Sequence, residues 1–414
     1  MSTQTLKKTK TLLIIGGGKE ALSGIQETQN MGLRVLVSDR DINAPGVLLA
    51  DDFIQASVYD PQETLLAVLA YPNYSEIDGV LAIACDATTT VSTVTNALHL
   101  PGHSLETAQL ATDKLLMKQR FQQCGIPIPW FSEVRGAEHL KQIVQESLHP
   151  LVLKPVDSRG SRGVLRITPA MQSSDLEWAF TYALSHSPKR RLLVERWIDG
   201  PQLSTESVIW DDESVLVAVA DRNYDRLDEF APFIIEDGGT TPSHLSPKIN
   251  PQLNDLLART AKAIGVTRGT IKGDIVIGNE GPVVIEIAAR LSGGYFCTHT
   301  IPRVYNVNII NAAVRIALGQ KPDIRSLLAF PTCYQGNRYL FLQEGTVKSI
   351  RHVEKAANHQ NVGLFGLYVK EGDHIPKTTD HTKRCGIVMT FAESREQAVT
   401  SAEQAIKALE VLVE

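Results

Sequence analysis

Residues 11 to 83 alternate short apolar runs with stretches of helical spacing: LLII, then 19 to 31, RVLVSD, DDFIQA, 61 to 70, and GVLAIA. Strand-length runs separated by helices predict a parallel α/β unit. The pattern turns helical from 104 to 125, with Ser104 and Thr107 placed to cap its start and Gly125 to end it. Between 151 and 220 the runs LVLKPV, RRLLVERWI and SVLVAVA read as strands, and the glycine- and serine-rich DSRGSRGV between the first two reads as a mobile loop. A second loop, rich in Gly, Thr, Pro and Ser, covers 233 to 248. After an amphipathic helix at 306 to 318 come short strand candidates, RYLFLQEG, GLFGLYV and CGIVMTF, and a closing helix. Ser394 and Gln397 form a capping box for that helix, and apolar residues at 398, 402, 405, 406, 409 and 412 recur at helical spacing.

The length of 414 residues is enough for two or three domains. With 41 basic and 46 acidic residues the net charge is -5, which gives no broad surface for nucleic acid or an anionic membrane. The cysteines Cys85, Cys124, Cys297, Cys333 and Cys385 show no CxxC spacing, so neither a disulfide framework nor a zinc site is indicated, and a reducing, cytoplasmic setting fits. The basic start MSTQTLKKTK leads into an apolar run too short for a signal peptide or membrane span.

Three constellations carry chemistry. Gly16, Gly18 and Ala21 fit G-x-G-x-x-G/A between a strand and a helix, and Asp39 ends the next strand. Taken alone this suggests dinucleotide binding; the plainer reading is a Rossmann-like turn that needs small residues for packing. A NAD-binding oxidoreductase also requires a hydride-transfer site, and the remaining motifs handle phosphate and metal instead.

The second is IKGDIVIGNEGPVVIEIAARLSGG, whose turn residues Asn279, Glu280 and Gly281 predict a three-residue hairpin loop with Asp274 opposite Glu286. Alternation then sends Ile275, Ile277, Val283, Ile285 and Ile287 to one face and Lys272, Asp274, Glu286 and Arg290 to the other. Two carboxylates about 5 Å apart repel unless a cation lies between them. An all-oxygen set suits Mg²⁺, or Mn²⁺, holding nucleotide phosphates. The alternative is a salt-bridged face neutralised by Lys272 and Arg290. Beyond Arg290, the turn Ser292-Gly293-Gly294 offers backbone N–H groups to an anionic substrate group.

The third joins Lys154, in an apolar strand, to the loop Asp157 to Gly163, which combines small residues with Arg159 and Arg162. GxxxxGK[ST] is absent, so this is no conventional P-loop. Lys114, in ATDKLLMK, is by itself an ordinary surface lysine.

Taken in order, Lys114, Lys154, the glycine loop, LVERWIDGPQ, Asp274, Glu286 and Arg290 resemble the ATP-grasp superfamily over essentially the whole chain. The resemblance implies a Rossmann-like pre-ATP-grasp domain at 1–103, an ATP-grasp domain at 104–329 with its lid near 157–164, and a small α+β domain at 330–414: an α/β and α+β multidomain fold. It implies that Lys114 and Lys154 contact ATP phosphates, that Ser158, Arg159, Gly160, Ser161 and Gly163 belong to the lid, and that Glu195, Arg196, Trp197 and Ile198 form the adenine hinge. Gln202 falls where the family has a ribose-binding Glu. Asp274 and Glu286 match the metal-binding acids, and Arg290 the arginine at the γ-phosphate and acyl-phosphate. Lys272 shares the charged face as a third catalytic candidate.

One departure stands out: Glu286-Ile-Ala-Ala-Arg290 has Ala288 where the family reads Asn, which leaves a catalytically impaired ATP-binding protein as an alternative. The C-terminal segment is similar to that of L-amino-acid ligases, implying a small carboxylate and an amine as substrates, an acyl-phosphate intermediate and ADP as product. Asp221 to Tyr224 and Gly238 to Ser243 lie where related ligases shape their acceptor pocket, with Arg222 the candidate for a substrate carboxylate. No histidine forms HxH or HExxH, and each is read as structural; His299, just past the Arg290 loop, is the one singled out. A homodimer is the expected assembly for such an enzyme.

Overall fold

A computed structural model describes residues 9–414; most of the basic N-terminal stretch lies outside the described residues. The first apolar runs are strands β1 (Thr11–Ile15), β2 (Arg34–Asp39), β3 (Asp52–Gln55) and β4 (Ile77–Leu81), which form a parallel sheet in the order β3-β2-β1-β4. Leu12, Leu13, Ile14 and Ile15 are all fully buried, as expected of a strand covered on both faces. The glycine turn after β1 is closed over by its own chain. Asp39 accepts the Gly17 N–H at 2.8 Å, and Gly46 donates to the Gly17 carbonyl at 2.7 Å. A Cβ on Gly46 would lie 2.8 Å from the Gly17 Cα, so residue 46 packs directly against the turn, in keeping with the plainer reading of small residues needed for packing.

The helix expected over 104–125 is two helices, Leu105–Thr112 and Lys114–Gln123, broken at Asp113. Asp113 accepts the Leu115 and Leu116 N–H groups as N-cap of the second, which places Lys114 at its first turn. Strands β5 (Phe131–Val134), β6 (Leu151–Pro155), β7 (Leu165–Ile167) and β8 (Leu192–Arg196) make an antiparallel sheet ordered β5-β8-β6-β7.

The strands that follow are β9 (Gln202–Trp210), β10 (Glu213–Asn223), β11 (Gly238–Thr241), β12 (Arg268–Gly278), β13 (Gly281–Ala288), β14 (Tyr334–Leu340), β15 (Gly345–Arg351), β16 (Val362–Leu367), β17 (His374–Ile375), β18 (Gly386–Ala392) and β19 (Glu410–Val413). Eight of them form one sheet, β13-β12-β9-β10-β11-β14-β18-β16, and the rest form a small sheet ordered β17-β15-β19. The large sheet runs without interruption from the Asp274–Glu286 hairpin into the C-terminal strands. The fold is thus a mixed α/β and α+β multidomain arrangement, with a parallel N-terminal sheet and antiparallel sheets beyond it.

Two local expectations change. The β12–β13 loop has two residues, since Gly278 pairs with Gly281, and a bulge between Asp274 and Ile275 restores the Asp274–Glu286 pairing. The extra residue reverses the neighbouring faces: Val284 is fully buried in the core, while Ile285 lines the cavity described below. The closing helix ends at Ala408 with Ser394 as its N-cap, and Leu412 belongs to β19.

Candidate active site

A cavity of about 540 Å³ lies between the N-terminal sheet, the β5–β8 sheet and the eight-stranded sheet. Its wall includes Lys114, Lys154, Ser158, Arg159, Gly160, Ser161, Glu195, Arg196, Trp197, Ile198, Gln202, Arg222, Lys272, Asp274, Glu286, Arg290, Ser292, Gly293 and Gly294. Gly163 is the exception: it is held at φ 74°, and a Cβ there would meet His186 and Pro155 at 2.8 and 2.9 Å, so it serves the loop's packing.

The carboxylates face one another as the sequence suggested, and protein cations surround them. Asp274 is paired with Lys272 and, at 3.0 Å, with Arg222; Glu286 is 3.1 Å from the Lys114 ammonium. Burial alone would raise the Asp274 pKa, but Arg222 and Lys272 hold it down to about 2. The salt-bridged alternative is thus met for Lys272, while Arg222 and Lys114 stand where Arg290 was expected. Arg290 turns away to Asp86 on the N-terminal side, with Nε 2.7 Å from Oδ1, and also donates to the Leu291 carbonyl. Arg222 additionally grips Glu236 at 2.8 Å.

The Lys154 ammonium is buried against Glu195, and Lys118, absent from the sequence reading, holds the other oxygen of Glu195 at 3.1 Å. Burial pulls the Lys118 pKa down to about 8 against the attraction of Glu195. The Glu195 carboxylate is committed to these lysines and unavailable to an adenine ring. The Arg196 and Trp197 N–H groups are likewise used, by the carbonyls of Trp130 and Pro150.

The glycine-rich loop touches both ends of the chain. Lys114 donates to the Ser158 carbonyl at 2.8 Å, the Arg159 guanidinium sits 4.3 Å from the centre of the Tyr59 ring, and the His381 N–H donates to the Gly160 carbonyl at 3.0 Å. The turn after Arg290 is also engaged: Glu206 accepts from the Ser292 N–H and hydroxyl, and Glu20 accepts the Tyr295 N–H at 3.3 Å. Glu206 is wholly buried, which pushes its carboxyl up to about 7 despite those hydrogen bonds.

The C-terminal segment supplies Tyr339, His381 and Arg384 to the wall. Arg384 lies 3.4 Å over the Tyr339 ring and donates to the Glu236 carbonyl at 2.8 Å; His381 Nε2 accepts the Glu236 N–H at 3.1 Å. Burial, with Arg384 and Arg222 nearby, keeps His381 neutral. The pocket histidine is thus His381, whereas His299 stacks edge-on against Tyr295 outside the wall. Asp86, Glu20, Glu206 and Glu236 were likewise missed. Each lies alone in an unremarkable local sequence and reaches the site only through the fold.

Residues 111–294 match the family model of the ATP-grasp domain. With the geometry above, residues 111–294 form an ATP-grasp domain. Residues 338–414 match L-amino acid ligase C-terminal domain 2, so the ligase branch the chain resembles is that of the L-amino acid ligases. The crystal structure of an L-amino acid ligase from Bacillus licheniformis superposes with a TM-score of 0.82 at 20% identity, over 99% of this chain and all of that one. Protein y4rH of Sinorhizobium fredii is 26% identical over 81% of this chain and 68% of its own length. The L-arginine-specific L-amino acid ligase of Bacillus subtilis is 22% identical over 66% of this chain and 65% of its own.

Proposed function

We propose that this protein is an ATP- and Mg²⁺-dependent carboxylate–amine ligase that forms an amide or peptide bond through an acyl-phosphate. The observation that carries this reading is the convergence of Lys114, Lys154, Lys272, Arg222 and Arg290 on one cavity around the facing carboxylates Asp274 and Glu286. In the reaction a carboxylate oxygen of the acid attacks the γ-phosphorus of ATP and ADP leaves. The amine then attacks the acyl carbon, phosphate leaves, and the amine proton is released.

The donor set fits Mg²⁺. Among the described residues no three His, Cys, Asp or Glu side chains cluster for a metal, but Mg²⁺ is commonly held by one or two carboxylates with phosphate oxygens completing its shell. Asp274 and Glu286 would hold it; when bound, it neutralises phosphate charge during transfer. Lys154 and Lys114 hold the phosphates in line, and Arg290 and Lys272 stabilise charge developing on the transferred group. Arg196 to Ile198 and Gln202 border the nucleoside side of the cavity, and Ser158 to Gly163 close over the phosphates as a lid that excludes water. Arg222 and the Ser292–Gly294 turn face the substrate side. The domain limits 1–103, 104–329 and 330–414 and a homodimeric, cytoplasmic enzyme complete the proposal.

The test is ADP release from ATP and Mg²⁺ with amino acids and other carboxylates, singly and in pairs. Release confined to particular pairs and lost in Lys154→Ala is the expected outcome. ATP binding without release from any pair favours the impaired-protein alternative, which Ala288 motivates.

A further inference from the structure

Lys114 and Lys118 stand one helical turn apart and so share a face of the helix Lys114–Gln123. That helix packs on two sheets at once. Leu115 lies against Leu193 of the β5–β8 sheet, whereas Met117 and Phe121 lie in the core with Leu203, Val284 and Ile287 of the eight-stranded sheet. Lys114 reaches Glu286 on β13, and Lys118 reaches the carbonyl of Val284 on the same strand at 3.2 Å. From that seam Lys118 also pairs with Glu195 of β8 at 3.1 Å. One ammonium thus joins the strand that carries a facing carboxylate to the strand that holds the partner of Lys154.

The register of the β5–β8 sheet sets Lys154 beside the same carboxylate. Glu195 pairs with Val152 and Lys154 with Leu193, so Lys154 and Glu195 are diagonal neighbours on one face, and their side chains form an ion pair. Lys118, Lys154 and Glu195 are 1%, 4% and 2% exposed. Against the effect of burial, the two lysines hold the Glu195 carboxyl below its usual range, so it is ionised. Burial is the main pull on Lys118, but Glu195 and Glu286 keep its pKa at about 8, so it is charged at neutral pH. One carboxylate between two ammoniums leaves a positive charge over. Among the described residues neither lysine has a second carboxylate within ion-pair distance. A buried charge without compensation is costly and favours an opposite charge beside it. Lys154 lines the cavity and Lys118 does not, so the excess is presented to a ligand through Lys154. Without the charge of Lys118, Lys154 and Glu195 would cancel, and the wall would offer a neutral pair at this point.

We propose that Lys118 is a positioning residue for the nucleotide: by sharing Glu195 it leaves the Lys154 ammonium with net charge toward the phosphates, and it touches no ligand itself. The inference rests on the ATP reading of the cavity, with Lys154 as a phosphate lysine. The test is the dissociation constant of ATP with Mg²⁺, measured by calorimetry on the full chain at neutral pH with no carboxylate or amine substrate present. Lys118→Gln keeps a donor for the Val284 carbonyl but removes the charge, and ATP should bind about tenfold weaker. Lys118→Gln combined with Glu195→Gln removes one charge of each sign and restores the excess, so ATP affinity should return to within about threefold of the wild type. A lysine that only fills space gives the opposite result, because the second substitution would then add its own loss. Lys118→Met replaces Lys118→Gln if circular dichroism shows the latter to be unfolded. Unchanged ATP affinity in Lys118→Gln, or a double variant that binds no tighter than the single one, overturns the role of Lys118. Lys154→Ala separates this proposal from the reading beneath it. Weakened ATP binding in Lys154→Ala with none in Lys118→Gln overturns the role of Lys118 alone. Full affinity in Lys154→Ala, or no ATP binding to the wild type, overturns the ATP reading itself.

Discussion

Glu206 is a carboxyl group enclosed beneath the Ser292–Gly294 turn, accepting the Ser292 N–H and hydroxyl while its Oε1 has no hydrogen-bond partner among the described residues. Burial lifts its pKa from 4.5 to about 7, more than its Ser292 hydrogen bonds can offset. Between those values the folded chain holds a proton that the unfolded chain releases, so the contribution of this group is fully present below pH 4.5 and is lost as pH rises through 7. Urea unfolding of wild type and Glu206→Gln across that window should show a wild-type stability loss, on the order of 2 kcal/mol, that the variant lacks. Parallel curves for the two proteins would assign the pH dependence to other groups. Nothing in the local sequence LSTESV distinguishes Glu206 from a surface residue. The Asp274–Glu286 pairing was reached from the hairpin signal with a loop one residue too long, a difference that the bulge between Asp274 and Ile275 cancels. Glu206 becomes a site-adjacent acid only through the pairing of β9 with β12, a contact across 66 residues that no short pattern encodes.

At the scale of elements, a single acid decides where a lysine points. The periodicity of 104–125 predicts one helix, yet Asp113, 1% exposed, interrupts it and caps the second half. The side-chain oxygens accept two N–H groups and pair with Lys189 at 3.0 Å, and the Lys114 N–H is carried to the Val156 carbonyl at the end of β6. Asp113→Ala should destabilise the protein by about 1–2 kcal/mol through the lost cap. Because Lys114 is aimed by that cap, the KM for ATP should also rise several-fold; a stability loss with KM unchanged would show that Lys114 is placed by its other contacts. The same competition explains the hairpin. Turn chemistry gave a loop one residue too long and no bulge, and the two differences cancel at the carboxylates. Hence Asp274 and Glu286 sat as expected while Val284 and Ile285 exchanged faces.

At the scale of the whole molecule, the glycine-rich loop is held by residues from both ends of the chain. Arg159 rests on Tyr59, and the Gly160 carbonyl receives the His381 N–H from the same short turn that brings His381 and Arg384 to the cavity wall. Because β14 and β18 extend the sheet that carries Asp274, that turn is tied through the sheet to the Asp274–Glu286 hairpin. The loop's position therefore reports on the N-terminal and C-terminal parts at once, although each contact is individually weak. A cation–π contact at an exposed ring contributes about 0.5–1 kcal/mol, equivalent to a two- to fivefold shift in an opening equilibrium. Tyr59→Ala should accordingly raise the rate of tryptic cleavage after Arg159 or Arg162 by that factor in the absence of nucleotide, since cleavage of a transiently opened segment tracks its open population. Saturating ATP should bring both proteins to the same slow rate if the phosphates supply the stronger hold. An unchanged rate in the nucleotide-free variant would mean that the C-terminal turn alone keeps the loop closed, and closure would then be coupled to the substrate wall but not to the N-terminal sheet.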